Sequence, residues 1–145
     1  MHHRKPDAIM GKVLPLRKGA DAALLAAGSI AAEALQAAEA LAEKGIALGV
    51  YSVPCVKPLD EEMVLALAHG VKRVYTLEEG NVGGGLFGAV AEVLAGDASA
   101  APLAAFGLQN EYTAKVGSQQ YLRGQYGMGA ATVAARVESD MLHKI

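Results

Sequence analysis

Tryptophan is missing from this chain, phenylalanine occurs twice and cysteine once in 145 residues. With aromatics at only 5%, the core has to be filled mainly by Ala, Val and Leu, which dominate a hydrophobic fraction of 52%. Small side chains let layers approach closely, so the composition suits parallel strands covered by helices. The lone Cys55 excludes an intrachain disulfide and points to a reducing, cytoplasmic setting. No local signature supplies a base for a catalytic thiol, so Cys55 is expected to be a buried structural residue. Excess charge is also lacking: a net charge of -2 leaves no footprint for nucleic acid. Arg4, Lys5, Lys12, Arg17 and Lys18 are scattered and read as solvated surface.

Long apolar runs are lacking too. The uncharged run Ala22 to Ala32 follows Asp21 and continues into Glu33, Gln36 and Glu39. It falls short of the roughly 20 apolar residues that span a bilayer. It reads as a buried strand leading into a helix, not as an export signal, and no membrane partner is expected. HExxH, CxxC and clustered carboxylates are absent, so no metal site is expected. GxSxG is absent as well, and Ser29 and Ser118 read as helix caps.

What is present alternates. A polar, irregular segment over residues 1–10 is expected to be flexible, and residues 11–145 to form one domain. Gly11 to Leu16 suits an edge strand, because Pro15 cannot donate to a ladder. Ala22 to Ala27 is a continuously apolar strand. A helix follows, capped by Ser29, with Ile30, Ala31, Ala34, Leu35, Ala38, Leu41 and Ala42 on its inner face and Gly45 as its stop. Glu33 and Gln36 fall largely outside that face.

Ile46 to Val53 is the next strand, and Pro54 and Pro58 bracket a rigid connection. Asp60 caps a second helix that closes at His69-Gly70, with Leu59 and Val64 placed as a hydrophobic staple. A strand over Val71 to Leu77, a helix over Leu86 to Leu94, a strand over Leu103 to Leu108 and a last helix over Ala130 to Leu142 complete the pattern. A short helix from Ser118 to Gly127 is expected before the last one. Strands alternating with helices predict a mostly parallel sheet with helices on both faces, an open three-layer α/β/α sandwich.

The segment Glu78-Glu79 followed by Gly80-Asn81-Val82-Gly83-Gly84-Gly85 is the most conspicuous local feature. A helix N-terminus after glycines can receive an anion. The loop carries no Lys, Arg, Ser or Thr to complete a phosphate cradle, and its GxGxxG spacing follows from glycine density alone. A tight packing turn is the competing reading. Adjacent Glu78 and Glu79 point to opposite sides of a strand, which argues against an acid/base pair. One of them is expected to cap the following amides or to meet a partner. Glu78, Glu79, Gly83, Gly84 and Gly85 are therefore the candidate anion or interface loop, and no catalytic residue is assigned.

The order of the pieces resembles the C-terminal domain of the transketolase family. The pieces are Ala26-Ala27-Gly28-Ser29 with Ala32-Glu33-Ala34-Leu35 and Ala38-Glu39, then Val56-Lys57-Pro58-Leu59-Asp60-Glu61-Glu62. Thr76-Leu77-Glu78-Glu79, Gly84-Gly85 and Ala89-Val90-Ala91-Glu92 follow, and then Gly117-Ser118 with Leu122 and Tyr126-Gly127. Gly80 and Phe87 depart from the family pattern.

The resemblance implies a mixed five-stranded sheet with one antiparallel edge strand. It also implies that thiamine diphosphate and magnesium are held by other domains, so this chain binds neither alone. The domain's usual part is dimer assembly and support of the active-site domains. Two readings follow: part of a split transketolase-like transferase, combined with a chain carrying the cofactor domains, or a free-standing binding module. Self-association as a homodimer is expected, through exposed apolar surface of a few hundred Å² or more.

Overall fold

A computed structural model describes residues 11–81, 85–108 and 128–143. The strands are β1 (Leu14–Arg17), β2 (Ala22–Ala26), β3 (Leu48–Ser52), β4 (Arg73–Asn81) and β5 (Leu103–Leu108). They form one sheet in the order β1-β3-β2-β4-β5. β2 runs parallel to β3 and β4, and β4 to β5, while β1 pairs antiparallel with β3 at the edge. Pro15 lies in that edge strand, opposite Tyr51, and the register shifts between Pro15 and Arg17. This is the expected mixed sheet with one antiparallel edge strand.

Four helices occur among the described residues: α1 (Ala31–Ala42), α2 (Glu61–Gly70), α3 (Leu86–Leu94) and α4 (Ala130–Leu142). α1 and α4 cover one face of the sheet, α2 and α3 the other. β2 shows why its sequence is apolar throughout. Ala22, Leu24 and Ala26 pack toward α1 and α4, and Ala23 and Leu25 toward α2 and α3, all five fully buried. β4 divides likewise, with Tyr75 and Leu77 in the first cluster and Val74 in the second.

Three local expectations are corrected. Ser29 does not cap α1: it sits inside a 3-10 turn over Gly28–Ile30, and Ile30 holds the cap position without a side-chain bond. Gly28, at φ +83°, turns the chain off β2, and fully buried Ile30 anchors the turn. Ala42 is exposed, whereas Glu33, expected outside the inner face, is buried. The strand expected over Val71 to Leu77 starts at Arg73 and runs on through both glutamates to Asn81, because β5 supplies Leu108 as a partner there. The short helix expected from Ser118 to Gly127 lies outside the described residues.

Candidate functional site

The end of β4 delivers Glu78 to the start of α3. That helix has no side-chain capping bond from its cap residue, Gly85, and no acidic residue in its first turn. Its free amides point instead at a buried carboxylate. Leu86 N–H donates to Glu78 Oε1 at 3.1 Å and Phe87 N–H to Oε2 at 2.9 Å. The carboxylate thus supplies both the acceptors and the negative charge that the helix end favours. An external anion at α3 would have to displace it. Glu79 is half-buried on the same strand, and Gly85 is not in a positive-φ conformation, at φ −102°. Gly83 and Gly84 lie outside the described residues.

The same device recurs where the sequence reading missed it. α4 also starts after a glycine, Gly129, without a side-chain cap. Ala130 N–H donates to Glu33 Oε2 at 2.9 Å, across 97 residues of sequence. That partnership explains the burial of Glu33. A capping residue so distant leaves no local signal; the hint was an acidic residue one position from an alanine-rich inner face.

Asp60 caps α2 as expected, accepting from Met63 N–H at 3.3 Å, and takes Val13 N–H at 3.0 Å as well. Leu59 and Val64 belong to one cluster, as a staple requires. Cys55 is half-buried rather than buried: the proline-bracketed connection runs along the surface, and its thiol donates to Lys57 O at 3.1 Å.

A groove of about 400 Å³ lies between the Val56–Leu59 segment and α3. Its floor is apolar, from Val56, Pro58, Leu59, Ala89 and Val93, and its rim carries Lys57, Glu61 and Glu92. The expected broad apolar surface is otherwise hard to find. Among the described residues, Leu142 is the exposed large hydrophobic side chain.

A surface cluster of His69, Asp97 and Ser99 has the residue types of a hydrolytic triad but not its geometry. His69 Nε2 meets Asp97 Oδ2 at 2.5 Å and also approaches Ser99 Oγ at 3.4 Å, so one ring nitrogen faces both partners. A triad needs the two partners on different nitrogens. Ser99 Oγ, moreover, donates directly to Asp97 Oδ1 at 2.6 Å. These bonds hold the Asp97 carboxyl below the usual aspartate range, the Ser99 hydroxyl contributing most. The cluster ties the end of α2 to the turn after α3.

The described residues do not fit thiamine diphosphate with a metal. No group of three His, Cys, Asp or Glu among them is placed to hold an ion. The buried carboxylates Glu33, Asp60 and Glu78 accept from backbone amides of this chain.

Fold and site together define an open α/β/α domain in which the buried carboxylates Glu33, Asp60 and Glu78 hold its own helices in place. The chain belongs to the transketolase C-terminal domain family, which it matches over residues 11–133. It is 41% identical over 133 residues to 1-deoxy-D-xylulose-5-phosphate synthase 1 of Geobacter metallireducens, covering 91% of this chain and 21% of that protein. It is 42% identical over 124 residues to the 6-deoxy-6-sulfo-D-fructose transketolase subunit SqwH of Clostridium sp. strain MSTE9, covering 86% of this chain and 38% of that one. Among solved structures, a split-gene transketolase, described as an inactive beta4 tetramer, superposes with a TM-score of 0.86 at 33% identity. That superposition covers all of this chain and 48% of the other. The chain therefore spans between a fifth and a half of the length of these relatives.

Proposed function

We propose that this chain is the C-terminal part of a split transketolase-type, thiamine-diphosphate-dependent transferase. In this reading it assembles and supports active-site domains carried by another chain, and it self-associates as a homodimer. The observation that carries the reading is the full-length superposition on a split-gene transketolase chain of about twice the length. The spending of Glu33, Asp60 and Glu78 on backbone amides supports it, because among the described residues no buried carboxylate is left over for a cofactor. The free thiol of Cys55 fits a cytoplasmic setting. With the Leu86 and Phe87 amides of α3 already filled by Glu78, the candidate residues Glu78, Glu79 and Gly85 are read as serving packing or an interface rather than an anion.

Calorimetric titration tests the division of labour. Thiamine diphosphate and magnesium should give no binding heat with the purified chain, and ketol transfer should appear only when a polypeptide carrying the cofactor domains is added. Micromolar cofactor binding to the chain alone would overturn the proposal.

A further inference from the structure

We propose that the groove between the Val56–Leu59 segment and α3 is where a second copy of this chain docks, with Lys57 of each copy meeting Glu92 of the other. This rests on the proposed self-association and assigns it a surface. The groove floor is made of half-buried Val56, Leu59, Ala89 and Val93 beside exposed Pro58, so it offers apolar area that water still reaches.

The rim of this groove carries charges that are open to a partner. Lys12, Lys44 and Lys72 each have a carboxylate of this chain within 4 Å, at 3.9, 2.6 and 3.7 Å. The side chains of Lys57, Glu61 and Glu92 are exposed and have no ion pair or hydrogen bond among the described residues. Glu61 stands in the first turn of α2, where the helix dipole favours an acid. Glu92 stands near the C-terminal end of α3, where the dipole disfavours one, and no basic residue lies in that last turn. A cation from outside the chain would relieve it.

A two-fold contact supplies that cation twice. In such an interface residue i meets residue j while j meets i. Lys57 stands on one bank of the groove and Glu92 on the other, so the rim is its own charge complement. Prolines 54 and 58 and the Cys55 to Lys57 bond hold the Lys57 bank in place, which limits the ordering cost of docking.

Sedimentation velocity on the full chain, with circular dichroism to verify folding, tests the assignment. Wild type should dimerise. Lys57→Glu and Glu92→Lys should each weaken the dimer by at least about tenfold, since each places like charges in register twice. The double variant should return to within about threefold of wild type, because the pair is restored with its signs exchanged. A dimer indifferent to either reversal, or a double variant as weak as the singles, would overturn the groove assignment while leaving self-association standing. A monomeric wild type would overturn both.

Discussion

The two faces of the sheet are closed to different degrees. On the α1/α4 face, Ala31, Ala34, Ala37 and Ala38 are fully buried, so helix and sheet approach without bulky spacers. That face is then cross-tied. Glu33 holds the start of α4, Lys44 pairs with Glu138 at 2.6 Å, and Tyr75 O–H donates to Asp140 at 2.7 Å. On the α2/α3 face, Leu86, Val90, Val64 and Ala68 fill the interior, but the outer side of α3 opens into the groove. Side chains tie the two helices of the first face to each other and to the sheet, whereas the second face carries a groove beside α3.

The buried glutamates provide the largest test of that contrast. Glu78 takes two amides of α3, one on buried Leu86, and Glu33 takes the Ala130 amide of α4. Removing an acceptor strands its donors, and a helix cap is worth about 0.5–2 kcal/mol. Glu78→Ala should cost about 2–3 kcal/mol and Glu33→Ala about 1–2 kcal/mol, read from urea unfolding midpoints. Equal losses would mean that α4 depends on Glu33 as heavily as α3 depends on its double cap.

Tyr75 tests the cross-ties with a smaller effect. Burial raises its phenol well above the usual tyrosine range, and the bond to Asp140 raises it further. Such a group stabilises the fold fully below its unfolded value near about pH 10, and the contribution is lost as pH rises through the folded one. Tyr75→Phe should cost about 1 kcal/mol at neutral pH. It should also lose less stability than wild type between about pH 9 and pH 11, since the buried phenol no longer resists ionisation. Parallel alkaline curves for the two proteins would show that Tyr75 carries no such linkage.

The two faces were unequally legible in the sequence. Strands β2 and β5 and helices α3 and α4 could be read closely because their signals are local: continuous apolar residues, glycine boundaries, an inner face at helical spacing. Asp60 could be read because a cap and its helix are adjacent. Glu33 could not, since its partner amide is 97 residues away. The end of β4 was placed too early because glutamates and glycines resemble a loop, while β5 extends the pairing to Asn81. The groove was legible only in pieces. Val56-Lys57-Pro58-Leu59 stood out as a motif, but topology alone sets it beside Ala89 and Val93.

The smallest expected effect concerns the tie between α2 and the turn after α3. Asp97 accepts from Ser99 N–H at 3.0 Å and Ser99 O–H at 2.6 Å, and meets His69 at 2.5 Å. These bonds depress its folded pKa, the Ser99 hydroxyl most strongly. A depressed carboxyl contributes stability above its unfolded value near about pH 4, and the contribution is lost as pH falls through the folded one. Asp97→Asn should therefore be slightly less stable than wild type near about pH 7, and the gap should close toward about pH 2. The cluster is exposed, so salt should also shrink the part of the gap that comes from His69. Urea midpoints across that range measure both trends. A gap that stays constant with pH would mean that what the asparagine loses does not depend on ionisation of the carboxyl group. In that case the tie between α2 and the turn owes nothing to charge, and the weaker closure of the α2/α3 face has to be sought in its packing alone.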